Sequence, residues 1–275
     1  GKISGGNGRF WYKANGTFIN YADYKVPADS IQYYSYYIKL HNRRLRNTAG
    51  READGSLAIG YEGDDWRTSL RISKVNTKSG FFADAHGLEV RMSDIDYDAS
   101  RRDIDLPYHS VSHTFVSNHT EWRWNRGTLA ADLGWQNNRQ REYSEPVSHG
   151  YMPTPPDALE RSFRKNTFTS AVNVRQTFGA STLNMGANAE CQINRKGGWG
   201  FILPNFERKA FGAYVTDRTV VNENLILSGG MRYDYGDVDI HSCKDWFKTP
   251  TADGDSVYME RSSDFSKRFS SITWS

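Results

Sequence analysis

Two cysteines in 275 residues, Cys191 and Cys243, are too few for a disulfide framework. Cys191 falls on the apolar face of a strand-like stretch and Cys243 in a loop-like one, so two free thiols are expected. Charge of one sign is also scarce. With 35 basic and 32 acidic residues the net charge is +3, which leaves no electrostatic footprint for nucleic acid. No run of about 18 apolar residues exists, which excludes a transmembrane helix and leaves a transmembrane barrel open. Hydrophobic residues make up only 37%, and the mean hydropathy of −0.72 is low for a packed globule. The opening GKISGGNGRFWYK has no charged region followed by an apolar one, so no signal peptide is expected within it. The closing KRFSSITWS stops inside a strand-like pattern, and the chain is read as a fragment of something longer.

Aromatic residues, in contrast, are plentiful. They make up 14% of the chain, with 16 Tyr, 14 Phe and 8 Trp, which excludes a disordered chain. Low hydrophobicity with many aromatics suits a sheet with one wet face. The stretch TSAVNVRQTFGASTLNMGANAECQIN, residues 169–194, has that character. Val172, Val174 and Phe178 share one parity, and Leu183, Met185, Ala187, Ala189 and Ile193 share one beyond the turn. Asn173, Arg175, Asn188 and Glu190 take the other, at the two-residue period of a pleated strand. Similar pairs recur, with short Gly-, Asn- or Asp-bearing turns at 63–65, 125–127, 179–181 and 222–224. Between them run long polar connections at 77–107, 141–165, 194–208 and 237–260, and an excursion at 22–55 that includes SIQYYSYYIKLH.

Short and long connections that alternate strictly place all turns at one end of a sheet and all loops at the other. The fold class is therefore all-β: an antiparallel up-and-down transmembrane β-barrel, partial, of about ten strands with an eleventh cut short near Ser275. The apolar face (Val172, Val174, Leu183, Leu227) is expected to meet lipid, and the polar face (Asn173, Arg175, Asn188, Arg232) a wet lumen. Phe10, Trp11, Trp122, Trp124, Trp135 and Tyr235 lie near strand ends, as interfacial girdle residues would. A soluble β-sandwich or propeller is the alternative that periodicity alone leaves open. HTFVSNHTEWRW does not alternate cleanly.

Several segments resemble TonB-dependent outer-membrane receptors. FGAYVTDRTVVNENLILSGGMRYDYG is similar to that family's barrel hairpin, in which an aromatic-Gly-Ala strand precedes Leu-x-x-Gly-x-Arg-Tyr-Asp. GTLAADLGWQNNRQREYSE is similar to a strand of the iron-complex branch, and LRNTAGREADGSLAIGY and SKVNTKSGFFADAHG to its first long loops. The resemblance spreads from about residue 8 to 275. It implies roughly half of a barrel of about 22 strands, one domain over 1–275 without the plug and the remaining strands. It further implies the Gram-negative outer membrane, an iron-chelate ligand of siderophore type, surrounding outer-membrane lipid, and contact with the TonB complex through the absent plug and N-terminal segment.

No nucleophile elbow, phosphate cradle or zinc spacing is present, so no enzyme, cofactor or resident metal is expected. His109 and His113 share a parity about 13 Å apart along a strand, too far for one metal. The ligand-binding candidates lie in the long loops. His86 and His149 could reach a haem or a chelate. Arg101 and Arg102, in DYDASRRDIDLP, could hold an anionic chelate bidentately or pair with the neighbouring aspartates. Tyr151 joins them on the outer side, and Trp199 in KGGWGFILP could pack an organic chelator, anchor its loop or sit at the membrane interface. A siderophore-like iron complex is the leading cargo, with haem, cobalamin or sugar as alternatives within the same family. A passive or adhesive surface protein, including one that binds glycans through exposed aromatics, is the reading from a different class.

Overall fold

The computed structural model describes residues 1–33, 36–82, 100–148 and 150–275. Its first strands are β1 (Lys2–Asn7) and β2 (Phe10–Tyr21), followed by the short β3 (Tyr24–Lys25), β4 (Ser30–Tyr33), β5 (Tyr36–Lys39) and β6 (Arg44–Leu45). The long strands are β7 (Gly50–Glu62), β8 (Trp66–Gly80), β9 (Tyr108–Trp124), β10 (Gly127–Tyr143), β11 (Leu159–Phe178), β12 (Ser181–Gly197), β13 (Phe206–Asn222) and β14 (Leu225–Ile240). The small hairpin β15 (Cys243–Pro250) and β16 (Ser256–Ser262) precedes β17 (Phe265–Trp274). Eleven of these strands form one antiparallel sheet in the order β1-β2-β7-β8-β9-β10-β11-β12-β13-β14-β17, open at β1 and β17. Neighbours in the sheet are neighbours in sequence, as an up-and-down meander requires.

The turns sit where the sequence predicts them, trimmed to 63–65, 125–126, 179–180 and 223–224, with a further one at 8–9. Gly8 (φ 59°) and Gly179 (φ 56°) supply the left-handed backbone that tight hairpins need. Three loops are shorter than expected, at 81–107, 144–158 and 198–205; the fourth is shifted to 241–264 and contains β15–β16, and β7 starts at Gly50 rather than after 55. Arg139↔Arg164 and Asn138↔Lys165 continue the β10–β11 ladder above the last alternating residue. Polar side chains on both faces hide a strand from periodicity, while the backbone hydrogen bonds carry it on.

Apart from Pro107 and Pro155, the only buried hydrophobic side chains among the described residues are Leu40 and Ala49. The sheet is instead apolar on its outer face. Ile59, Leu70, Val116, Leu133, Phe168, Val172, Met185, Val215, Leu227 and Met231 share that face through consecutive registers. Leu227 is 56% exposed. A lower aromatic belt follows the turns: Phe10 meets Tyr61 at 4.9 Å, Tyr61 meets Trp66 at 4.8 Å, and Trp122 meets Trp124 at 5.5 Å. Trp124 Nε1 donates to Gln176 Oε1 at 2.6 Å. An upper row comprises Trp135, Phe168, Phe211 and Tyr235, with Phe168 ten residues above Phe178 at the turn end of the same strand. At the rise and tilt of barrel strands that is about 25 Å, the height of a transmembrane apolar band. Trp11 departs from its expected girdle role. Parity turns it to the inner face, where its ring lies across Gly60, a position that has no room for a Cβ.

The imperfect alternation of β9 has a local cause. Asn118 and Thr120 point outward with Trp122 and Val116, and they satisfy one another with Thr68 of β8. Asn118 Nδ2 donates to Thr68 Oγ1 (3.1 Å) and to the Ser69 carbonyl (3.1 Å), Thr120 donates to Asn118 Oδ1 (3.0 Å), and the two threonine hydroxyls lie 2.7 Å apart. A closed polar cluster can face lipid because no donor is left over.

The 22–49 excursion is tied down by Asp23. Its Oδ1 accepts the N–H groups of Thr48 and Ala49, each at 2.9 Å. Burial pushes the Asp23 carboxyl above the usual carboxylate range, against the pull of those two N–H groups and of Arg44. A folded-state pKa raised above the unfolded value means that folding favours the protonated form, so this group stabilises the fold increasingly as the pH falls through that raised value. Asp23→Asn keeps the Oδ1 acceptor and removes the buried charge. It should lie within about 0.5 kcal/mol of wild type at neutral pH and flatten the acid limb of the stability profile. Asp23→Ala should cost about 1–3 kcal/mol. Urea midpoints between pH 4 and 8 measure both, and a midpoint for Asp23→Asn as low as that of Asp23→Ala would refute this account.

Candidate functional site

The inner face carries a polar wall across β11–β14. Asn173 Nδ2 donates to Tyr214 Oη at 2.5 Å, and Arg232 donates to Asp234 at 2.5 and 2.7 Å and to Asn188 Oδ1 at 3.2 Å. The Arg232 guanidinium lies 5.9 Å from the Tyr214 ring centre. Gly186 and Gly212 make room for this wall: a Cβ on the first would strike the Tyr214 ring, and one on the second would crowd Arg232, Asp234 and Asn188. Asn173, Asn188 and Arg232 thus face inward as the sequence predicts. Their linkage through Tyr214 becomes legible only once the register sets Gly186 opposite Tyr214. Further pairs on this face are Arg67–Glu121 (2.7 Å), Arg208–Glu190 (2.5 Å) and His119–Asp132 (2.7 Å). His113 Nδ1 contacts Asn138 Nδ2 at 3.2 Å. Among the described residues no three His, Cys, Asp or Glu side chains converge as a metal site would require, and both cysteines are free.

At the long-loop end two clamps position the candidate residues. The first is Asn47, 3% exposed, whose Nδ2 donates to the carbonyls of Phe81 (3.0 Å) and Pro107 (2.8 Å) and whose Oδ1 accepts the Asp105 N–H (2.8 Å). It fixes both described ends of the 81–107 connection to the sheet. The second is Glu160, buried, which receives the Ser144 hydroxyl and pairs with Arg161 at 2.6 Å, while its carbonyl accepts the Gly200 N–H at 2.7 Å.

The six candidate ligand residues divide among these clamps. Arg102 Nη1 donates to the Asn20 carbonyl at 2.5 Å and reaches Asn20 Oδ1 at 3.2 Å, so its guanidinium fastens the loop to the end of β2. Arg101 is exposed, and its carbonyl accepts the Asp23 N–H at 2.9 Å. Trp199 Nε1 donates to the Asp157 carbonyl at 3.1 Å, which gives it the loop-anchoring role. Tyr151 is 76% exposed. His86 and His149 lie outside the described residues, as do Asp96, Tyr97 and Asp98. The structure does not gather the rest at one point. Arg101 and Arg102 sit above β2, while Trp199 sits above β11 and β12, and five strand steps separate β2 from β11.

No family model and no curated protein matches the sequence. Solved structures do match the fold. The FrpB iron transporter from Neisseria meningitidis (F3-3 variant) superposes with a TM-score of 0.62 at 15% identity over 98% of this chain and 39% of that one. The closed form of the ferric-catecholate import receptor Fiu from E. coli K12 gives 0.60 at 12% identity over 99% and 44%. The copper transporter OprC gives 0.59 at 12% identity over 98% and 38%. The chain therefore spans about two fifths of the length of these three structures.

Proposed function

The fold is that of part of a TonB-dependent receptor barrel, and from that premise we propose that the chain belongs to a Gram-negative outer-membrane transporter that binds and imports a siderophore-like iron complex. The observation that carries the membrane placement is the pair of aromatic rows bounding an exposed apolar band, with a hydrogen-bonded polar wall on the opposite face. Among the similar structures, FrpB is an iron transporter and Fiu a ferric-catecholate receptor, which favours iron over the copper of OprC. Arg101 offers an exposed guanidinium at the long-loop rim, suited to an anionic chelate. Coupling to the TonB complex would run through a plug domain and N-terminal segment outside these residues.

Cargo is tested by titrating the full-length parent with a ferric catecholate, ferric citrate and haem. Arg101→Ala should weaken binding of the anionic ferric chelates about tenfold, because each desolvated charged hydrogen bond contributes about 1.5–3 kcal/mol. Arg101→Ala/Arg102→Ala should lose more, since Arg102 also holds the loop. Loss confined to His86→Ala/His149→Ala would make the cargo haem, and indifference to all four changes would remove the rim site.

Sidedness is a separate expectation. In a full-length parent with Cys191 and Cys243 replaced, Tyr151→Cys should react with a membrane-impermeant maleimide on intact cells. Ala180→Cys, in the turn between β11 and β12, should react only after lysis. The reverse pattern would invert the orientation.

A further inference from the structure

Arg139, Arg164 and Arg195 stand side by side on the outer face of β10, β11 and β12. The register sets Arg139 directly opposite Arg164, and Arg164 directly opposite Arg195. All three are exposed. Like charges directly opposite each other on one face of an antiparallel pair repel at close range. Elsewhere the sheet offsets arginine with acid, as at Arg67–Glu121, Arg208–Glu190 and Arg232–Asp234. In this row only Arg195 has an acidic partner, Glu207 at 2.5 Å. Among the described residues no acid pairs with Arg139 or Arg164, so the row presents a concentration of positive charge that lacks its counter-ion.

Its height identifies that counter-ion. Immediately below the arginines is the pair Asn137–Asn166, joined at 2.7 Å, and below that the aromatic row at Trp135 and Phe168. The arginines are thus four residues above the aromatic belt, about 10 Å higher on a tilted strand. Long arginine stems reach back towards a membrane interface, and headgroups occupy the 5–8 Å or so beyond the hydrocarbon. Beneath the row, on the same face, lies an apolar groove of about 620 Å³ lined by Leu70, Val116, Leu133, Trp135, Phe168 and Cys191. Guanidinium groups bind phosphate bidentately, and the groove has the apolar lining an acyl chain would take. We propose that this face is a binding site for a phosphate-bearing lipid of the leaflet on the long-loop side, with its phosphate on Arg139, Arg164 and Arg195 and an acyl chain in the groove. The inference rests on the membrane placement proposed above.

The test uses the full-length parent in neutral detergent and counts lipid adducts by native mass spectrometry. Phosphatidic acid and diacylglycerol with the same acyl chains are the probes. Phosphatidic acid should form adducts at least tenfold more readily than diacylglycerol, and Arg139→Gln/Arg164→Gln/Arg195→Gln should bring it down to the diacylglycerol level. Inorganic phosphate at the same concentration should not displace it. Equal adduct formation by the two lipids, an unaffected triple variant, or displacement by inorganic phosphate would each overturn the proposal. Should the variant fail to fold, the two-lipid comparison and the phosphate competition on the wild-type protein decide alone. Flotation with phosphatidylcholine vesicles separates the premises: a protein that floats but shows no phosphate preference loses only the lipid site, and one that does not float loses the membrane placement as well.

Discussion

Arginine in place of Val172 should impair folding of the full-length protein more than any other single exchange considered for the sheet. Val172 is 44% exposed on the outer face of β11, between Phe168 of the upper aromatic row and Phe178 at the turn. Its cross-strand neighbours are Ala131 and Ala187, too small to cover a guanidinium and with no charge to offer it. An arginine at the middle of the lipid-facing band costs about 2–4 kcal/mol, a shift of roughly thirtyfold to a thousandfold in the folding equilibrium. The adjacent Ala171→Arg reverses the geometry, since residue 171 faces inward between Asp132 and Asn188 and gains an acidic neighbour. It should cost less than about 1 kcal/mol, as substitutions in wet surroundings do. Urea titration of the folded fraction in lipid vesicles, read by gel mobility without heating, compares the two. Equal tolerance would mean that the outer face does not meet lipid.

Asn47→Ala is expected to produce the largest effect at the long-loop end. The substitution removes the Asn47 amide from the carbonyls of Phe81 and Pro107 and from the Asp105 N–H, while the Pro107 carbonyl keeps the Phe81 N–H. It also places alanine at φ 55°, a conformation asparagine tolerates better. One of the lost bonds is buried and two are partly buried, and with the backbone strain they amount to about 3 kcal/mol. The loss is local, so it should appear as a rise of about a hundredfold in the population open to protease within the 81–107 connection, with little change in the sheet. Asn20→Ala is the control. Asn20 is exposed, and its carbonyl still accepts from Arg102 after truncation, so cleavage should rise only a few-fold. Comparable cleavage in both variants would show that Asn47 is not the pin.

The two substitutions bear on different kinds of legibility. The faces of β11–β14 can be read from residue parity because one face is apolar, and the inward placement of Asn173, Asn188 and Arg232 needs nothing more. Strand ends could not be read the same way. Above the band both faces are polar, so β10 and β11 continue to Tyr143 and Leu159 without a periodic signal. Trp11 misled because proximity to a turn does not fix which face a residue takes, and Gly60 across the ladder decides it. The loop residues were least legible. Arg102 and Trp199 have the chemistry of ligand contacts but spend it on the Asn20 and Asp157 carbonyls, partners that only the folded chain supplies. Asn47 carries no signal of its role, because a buried asparagine clamp leaves no pattern in sequence.

With Leu40, Ala49 and two prolines, Pro107 and Pro155, as the only buried apolar side chains among its described residues, the molecule has little greasy interior to uncover when it unfolds. The large positive heat-capacity change that accompanies unfolding of water-soluble domains comes from hydrating such interiors. Melted without leaving its detergent or bilayer, this sheet should therefore give a nearly straight dependence of unfolding free energy on temperature, with its enthalpy almost constant across the range. Its cold limb should be missing, because the force that weakens on cooling was never what closed the ladder.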